Sequence, residues 1–275
     1  MKISGICVFL TLASMLGLST VSAQRAAYWQ ERPGSWLLNV GLGPTRYLGD
    51  MNERCGLAHL RLGIAMGIAA AYRFSDRVTF RAEAQLYYIR GSQQDTHLAY
   101  NNLSFHSLNP EVWAGLQLDF WPSDDRNHII IPYAIAGVGV TYITPKTNYK
   151  GHTYSLAPLQ TEGVAYNRLP LILRYGIGVP VLTGERFKWH LEGVYTHVTS
   201  DYLDDVSTVY PDRTTMTPLA AALSDRRLEL GQTPNGVGAK RGNDTKRDGY
   251  FILSARLIWV ISTTKQQHYR RSRRG

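Results

Sequence analysis

Three aspartates, Asp201, Asp204 and Asp205, stand close together in the stretch TSDYLDDVSTVYPD at positions 199–212. Carboxylates at i, i+3 and i+4 can converge on a hard cation such as calcium, which takes oxygen ligands. A calcium loop also needs a glycine at its middle and regular ligand spacing, and neither is present here. The same side chains serve as well to cap a short turn, to accept backbone hydrogen bonds or to face solvent. His197, Ser200 and Asp201 are the parts of a hydrolase, but such triads are defined by geometry, and a short linear cluster at a strand end is weak evidence for one. Histidines at 59, 97, 106, 128, 152, 190, 197 and 268 show no metal-ligand spacing, and HExxH, GxSxG and phosphate-loop motifs are missing. The expectation is no enzyme, no metal and no cofactor.

Whether this stretch is a site or the foot of a loop depends on the elements that carry it. It follows RFKWHLEGVYTHV, which alternates as a strand does. Similar alternation predicts eight strands, at 36–44, 64–74, 77–90, 107–121, 129–143, 169–181, 186–198 and 249–261. In the third, Phe80, Ala82, Ala84, Leu86 and Tyr88 share one face, and Thr79, Arg81, Glu83 and Gln85 share the other. Aromatic residues gather near strand ends, among them Trp36, Tyr72, Phe120, Trp121, Tyr142 and Trp259. Tight connections alternate with long ones, and the longest runs from 199 to 248.

Together these features predict an all-β fold: an eight-stranded antiparallel transmembrane outer-membrane barrel with long outer loops. Eight strands leave an interior only wide enough for side chains. Arg81, Glu83, Glu111, Asp119, Arg174, Glu192 and Arg256 fall on the inward face and should pair there as a structural plug. The residues NYKGHTYSLAP suit packing or partner contact. The residues SDRRLELGQTPNGVGAKRGNDTKRD read as a flexible excursion.

The first 23 residues carry Lys2, an apolar run and Val21-Ser22-Ala23, the pattern of a secretory signal peptide. Residues 24–264 form the barrel, and 265–275 a basic periplasmic tail with Lys265, Arg270, Arg271, Arg273 and Arg274. The formal net charge of +9 thus marks a tail more than a surface, and nucleic acid is not expected as a partner of an exported chain. Cys7 leaves with the signal, and the lone Cys55 is a free thiol or a candidate for an intermolecular disulfide.

YLGDMN, at 47–52, and SDYLDDVS, at 200–207, resemble paired motifs of a Bacteroidetes outer-membrane β-barrel family that includes the type IX secretion system protein PorG. Tyr47, Leu48, Gly49 and Asp50 match the first motif. Asp201, Tyr202, Leu203, Asp204, Asp205, Val206 and Ser207 match the second. The resemblance implies a non-enzymatic component of the cell outer membrane. It would contact lipids and anchor a periplasmic ring built from a lipoprotein and its partner, PorK and PorN in that family, for protein secretion. The extended segment 213–247 and the basic tail depart from the family pattern. The alternative is a small surface binding barrel or an outer-membrane lipid-modifying enzyme.

Overall fold

The computed structural model describes residues 32–51, 61–122, 128, 130–183, 187–242 and 247–262. The signal segment, Cys55 and the basic tail lie outside the described residues.

The strands are β1 (Trp36–Leu48), β2 (Leu62–Arg73), β3 (Val78–Ser92), β4 (Ser104–Asp119), β5 (Tyr133–Thr141), β6 (Lys146–Tyr149), β7 (His152–Ser155), β8 (Leu171–Thr183), β9 (Phe187–Val198) and β10 (Gly249–Ser262). They form one antiparallel sheet in the order β3-β2-β1-β10-β9-β8-β5-β4-β6-β7, with a further pairing of β3 to β4. This corrects the expected eight-stranded barrel: the sheet has ten strands. The two additional ones are the hairpin β6–β7, joined to β4 through His106 and Lys146. Lys150 and Gly151 both have positive φ, at 47° and 81°. That is the primed turn geometry that suits the twist of two antiparallel strands.

Boundaries differ as well. β1 runs on to Leu48, so Tyr47 and Leu48 lie within the strand rather than after it. β5 is shorter than the alternation suggests, beginning at Tyr133, past Pro132. A proline has no N–H to give to a ladder.

Period two is written in the burial of each long strand. In β3, Thr79, Arg81, Glu83, Gln85 and Tyr87 are buried while Phe80 and Leu86 are exposed. In β10, Ser254, Arg256 and Ile258 are buried while Phe251 and Trp259 are exposed. The outward faces of β1, β2, β4, β5, β8 and β9 likewise expose Leu42, Met66, Leu116, Val138, Ile177 and Leu191. This is the reverse of a water-soluble sheet, which hides its apolar face. No helix among the described residues is long and apolar enough to cross a membrane, a statement that bears on helices alone.

Among the described residues, the excursion before β10 carries local structure where the sequence reads as flexible; residues 243–246 of that stretch lie outside the described residues. The excursion holds 3-10 turns at Arg213–Thr215 and Arg226–Leu230 around a short helix, Pro218–Ser224. Thr217 caps that helix by accepting from the Ala220 N–H, and proline opens it, where its missing donor costs nothing. A β-bridge between Val209 and Lys240 ties the two ends of the excursion together.

Candidate functional site

The interior charges form one connected network. Arg81 donates to Glu192 Oε2 at 2.8 Å and to Glu83. Arg256 donates to Glu192 Oε1 at 2.8 Å and to Glu83 Oε1 at 2.7 Å. Arg174 sits 3.2 Å from Glu111 Oε1 and donates to Gln85 Oε1 at 3.1 Å. The Trp113 ring lies between the Arg81 and Arg174 guanidiniums, each 5.0 Å from its centroid. Arg73 and Asp119 pair at 2.5 Å nearer the tight-turn end. Three arginines and three glutamates balance in this network, so each buried charge has a partner of opposite sign. A cavity of about 10 Å3 beside Gly41 and Gly67 is left within it, roughly the space for one water. All seven inward charges named from the sequence are buried here.

At the opposite end, the two motif segments meet. The Tyr47 hydroxyl of β1 lies 2.7 Å from Asp204 Oδ2 and 2.8 Å from Asp248 Oδ1. A side chain at Gly49 would put its Cβ 2.0 Å from both Asp248 Oδ1 and the Tyr47 hydroxyl, so only glycine fits beside this cluster. Asp204 Oδ1 accepts from the Val206 N–H at 2.9 Å, an Asx turn. Leu203 and Val206 are buried in the main apolar cluster with Tyr47, Met51 and Tyr250. Tyr202 stacks on Tyr166, with centroids 4.3 Å apart and planes 6° from parallel. Asp201 accepts from the Ser207 hydroxyl at 2.7 Å.

Asp205 turns the other way, into a second knot. It holds a positive φ of 67°, a region Asp tolerates better than most residues. Its carboxylate accepts from Thr161 and from Tyr166 at 2.7 Å. Glu162 accepts from the Ser207 N–H at 2.8 Å, the Thr208 hydroxyl at 2.7 Å and Arg241 at 2.9 Å. Arg241 also donates to the carbonyl oxygens of Asp205 and Ser224. Burial raises the Asp205 carboxyl to about 6, outweighing the lowering by Arg241, Thr161 and Tyr166.

Further out, Arg226 donates to Ser104 at 3.1 Å and to Thr147 at 3.0 Å, reaching β4 and β6. Asn235 donates to Asn101 at 3.2 Å. These bonds join the connections β3–β4, β5–β8 and β9–β10 into a single cap.

The hydrogen bonds made by Ser200 and Asp201 go elsewhere than to His197 among the described residues: Ser200 accepts from the Tyr202 N–H, and Asp201 binds Ser207. No group of three His, Cys, Asp or Glu side chains among the described residues is arranged to hold a metal ion. Sequence reasoning missed Glu162, Arg241 and Asp248. Each lies in a long connection and reads, taken singly, as a solvated charge.

No protein-family model and no curated protein matches the chain. Solved structures that it resembles include Neisserial surface protein A, with 12% identity, TM-score 0.43, and 82% of this chain and 97% of that one covered. OprG of Pseudomonas aeruginosa, an outer-membrane protein, has 12% identity, TM-score 0.43, and coverage of 85% and 99%. Ail of Yersinia pestis, solved with the heparin analogue sucrose octasulfate, has 12% identity, TM-score 0.37, and coverage of 82% and 99%.

Proposed function

We propose that this chain is a non-enzymatic outer-membrane protein that acts by presenting its structured cap as a binding surface. The observation that supports this most is the inversion of the sheet: apolar side chains outward on every long strand, and ion-paired side chains filling the inward face. Lipid is the natural solvent for such an outer face, and each of the eight long strands has a paired neighbour on both sides, as lipid requires. A plugged interior leaves the ends of the molecule to do its work. Among the described residues, the connections 93–103, 142–170, 199–242 and 247–248 meet at one end, tied together by the two knots around Asp204 and Asp205.

The test is extraction and surface labelling. Detergent should be required to release the protein from outer membranes, and a membrane-impermeant reagent should label cysteines placed at Val209 or Lys150 in intact cells. Release by salt alone, or labelling only after the cells are opened, would count against the proposal.

A second reading, as a type IX secretion component that anchors a periplasmic ring, is favoured by one observation. The two segments that resemble the family's motifs meet at the Tyr47–Asp204 hydrogen bond. Gentle purification of the native protein should then recover a ring lipoprotein and its partner. Recovery of the protein alone would sink this reading and leave the first one standing.

A further inference from the structure

One phenol has one hydrogen, yet the Tyr47 hydroxyl makes two short contacts with carboxyl oxygens, at 2.7 and 2.8 Å. A carboxylate is an acceptor with nothing to donate. Two ionised carboxylates would leave one of these contacts without a hydrogen, in a site where Tyr47, Asp204 and Asp248 are all buried. The two carboxyls also differ. Asp204 has a further donor in the Val206 N–H, which favours its anion. Asp248 Oδ2 is buried with no hydrogen bond among the described residues.

We propose that Tyr47, Asp204 and Asp248 form a proton-held latch, with an extra proton on Asp248 that clasps the 199–210 segment to β1 and to the start of β10. In the clasped state Asp248 donates to the Tyr47 oxygen, and Tyr47 donates to Asp204. When the proton leaves to a base in solution, two like charges face each other across one hydroxyl, and the segment comes free of the rim.

Among the described residues, the ionisable groups that face the pair include Tyr47 and Asp50 from β1 and the turn after it, Asp201 from the loop itself, Tyr195 from β9 and Tyr166 from the β7–β8 connection. Desolvation comes first among the causes that push both carboxyls well above the usual range, and the negative charges of Asp50 and Asp201 add to it. Asp205 belongs to the neighbouring knot, facing Arg241, Glu162, Thr161 and Tyr166.

The sign follows from linkage. A group that holds its proton more tightly in the clasped state stabilises that state at low pH, and the stabilisation is lost as pH rises through its clasped-state value. One proton makes the released fraction grow by about tenfold per pH unit above the unfolded carboxylate range, until that clasped-state value is reached.

The experiment uses the full chain in lipid nanodiscs. Infrared spectra at neutral pH should show a protonated-carboxyl carbonyl band that disappears in D248N. Proteolysis within 199–210 should quicken with rising pH in the wild type and follow a flatter profile in D248N, whose amide can still donate to Tyr47. Absence of that band, or an unchanged pH profile in D248N, would overturn the latch. Should D248N fail to assemble, wild type carrying isotope-labelled aspartate decides the matter. A labelled protonated-carboxyl band at neutral pH, lost as the loop becomes cleavable, supports the latch; no labelled band refutes it.

Discussion

Single atoms set the rim at the cap end. Gly49 has no room for a methyl group, because Asp248 and Tyr47 occupy the place where a Cβ would stand. Gly49→Ala should therefore lower stability by about 1–3 kcal/mol, the range for overpacking a filled site, seen as an earlier thermal loss of the folded gel band. Glu162 is a sharper case, since it satisfies Arg241 and two backbone N–H groups at once. Glu162→Gln leaves Arg241 short of a compensating charge and should cost roughly 3–5 kcal/mol of cap stability, as breaking a buried pair does. The measurement is hydrogen exchange at Ser207 and Thr208, which should become faster while β3 and β10 stay protected. Asp205 adds a pH dependence of its own. Its folded value of about 6 lies above the ordinary carboxylate range, so its contribution is complete at low pH and fades as pH rises through about 6. Protease resistance of the β5–β8 connection, which holds Thr161 and Tyr166, should fall across that window, and Asp205→Asn should flatten the change.

Among the elements, the hairpin β6–β7 is attached to the sheet at one register pair and to the excursion through Arg226 and Thr147. Replacing residues 146–155 with a short turn should leave the other eight strands paired and detach only the Arg226–Leu230 turn. Amide exchange near Arg226 reports the second effect, and the circular-dichroism melting temperature reports the first. What the sequence told of these elements depended on how strong their periodicity is. β3, β9 and β10 are legible because charged and apolar residues take turns over many positions, and both faces are chemically distinct. The hairpin has four residues a side and no such contrast. Its one signal was Lys-Gly between two polar pairs, a turn pattern weaker than Asn-Gly. The cap was illegible for a different reason. Glu162 and Arg241 meet across 79 positions of chain, with two strands between them, and nothing in local spacing links them. Asp204 stands out by its carboxylate spacing and Tyr47 only by the paired-motif resemblance; that they touch, and that Asp248 joins them, is a fact of three dimensions.

For the molecule as a whole, the decisive quantity is the polarity of the medium against the outer face. Leu116 is 54% exposed. In water, an arginine there would change stability by no more than about 0.5 kcal/mol, as exposed positions generally do. Against lipid at mid-depth it should cost about 2–4 kcal/mol. Urea titration of Leu116→Arg in lipid vesicles separates the two cases. The pairing of β1 with β10 has a further consequence, in time rather than in space. Tyr47 waits for Asp248, a residue 201 positions later in the chain. Until the last strand has been made and delivered, β1 keeps a bare ladder of N–H and C=O groups that any other extended chain could claim. Biogenesis must therefore shelter the nascent protein to its end, and a truncation before β10 should yield an aggregate rather than a smaller version of the fold.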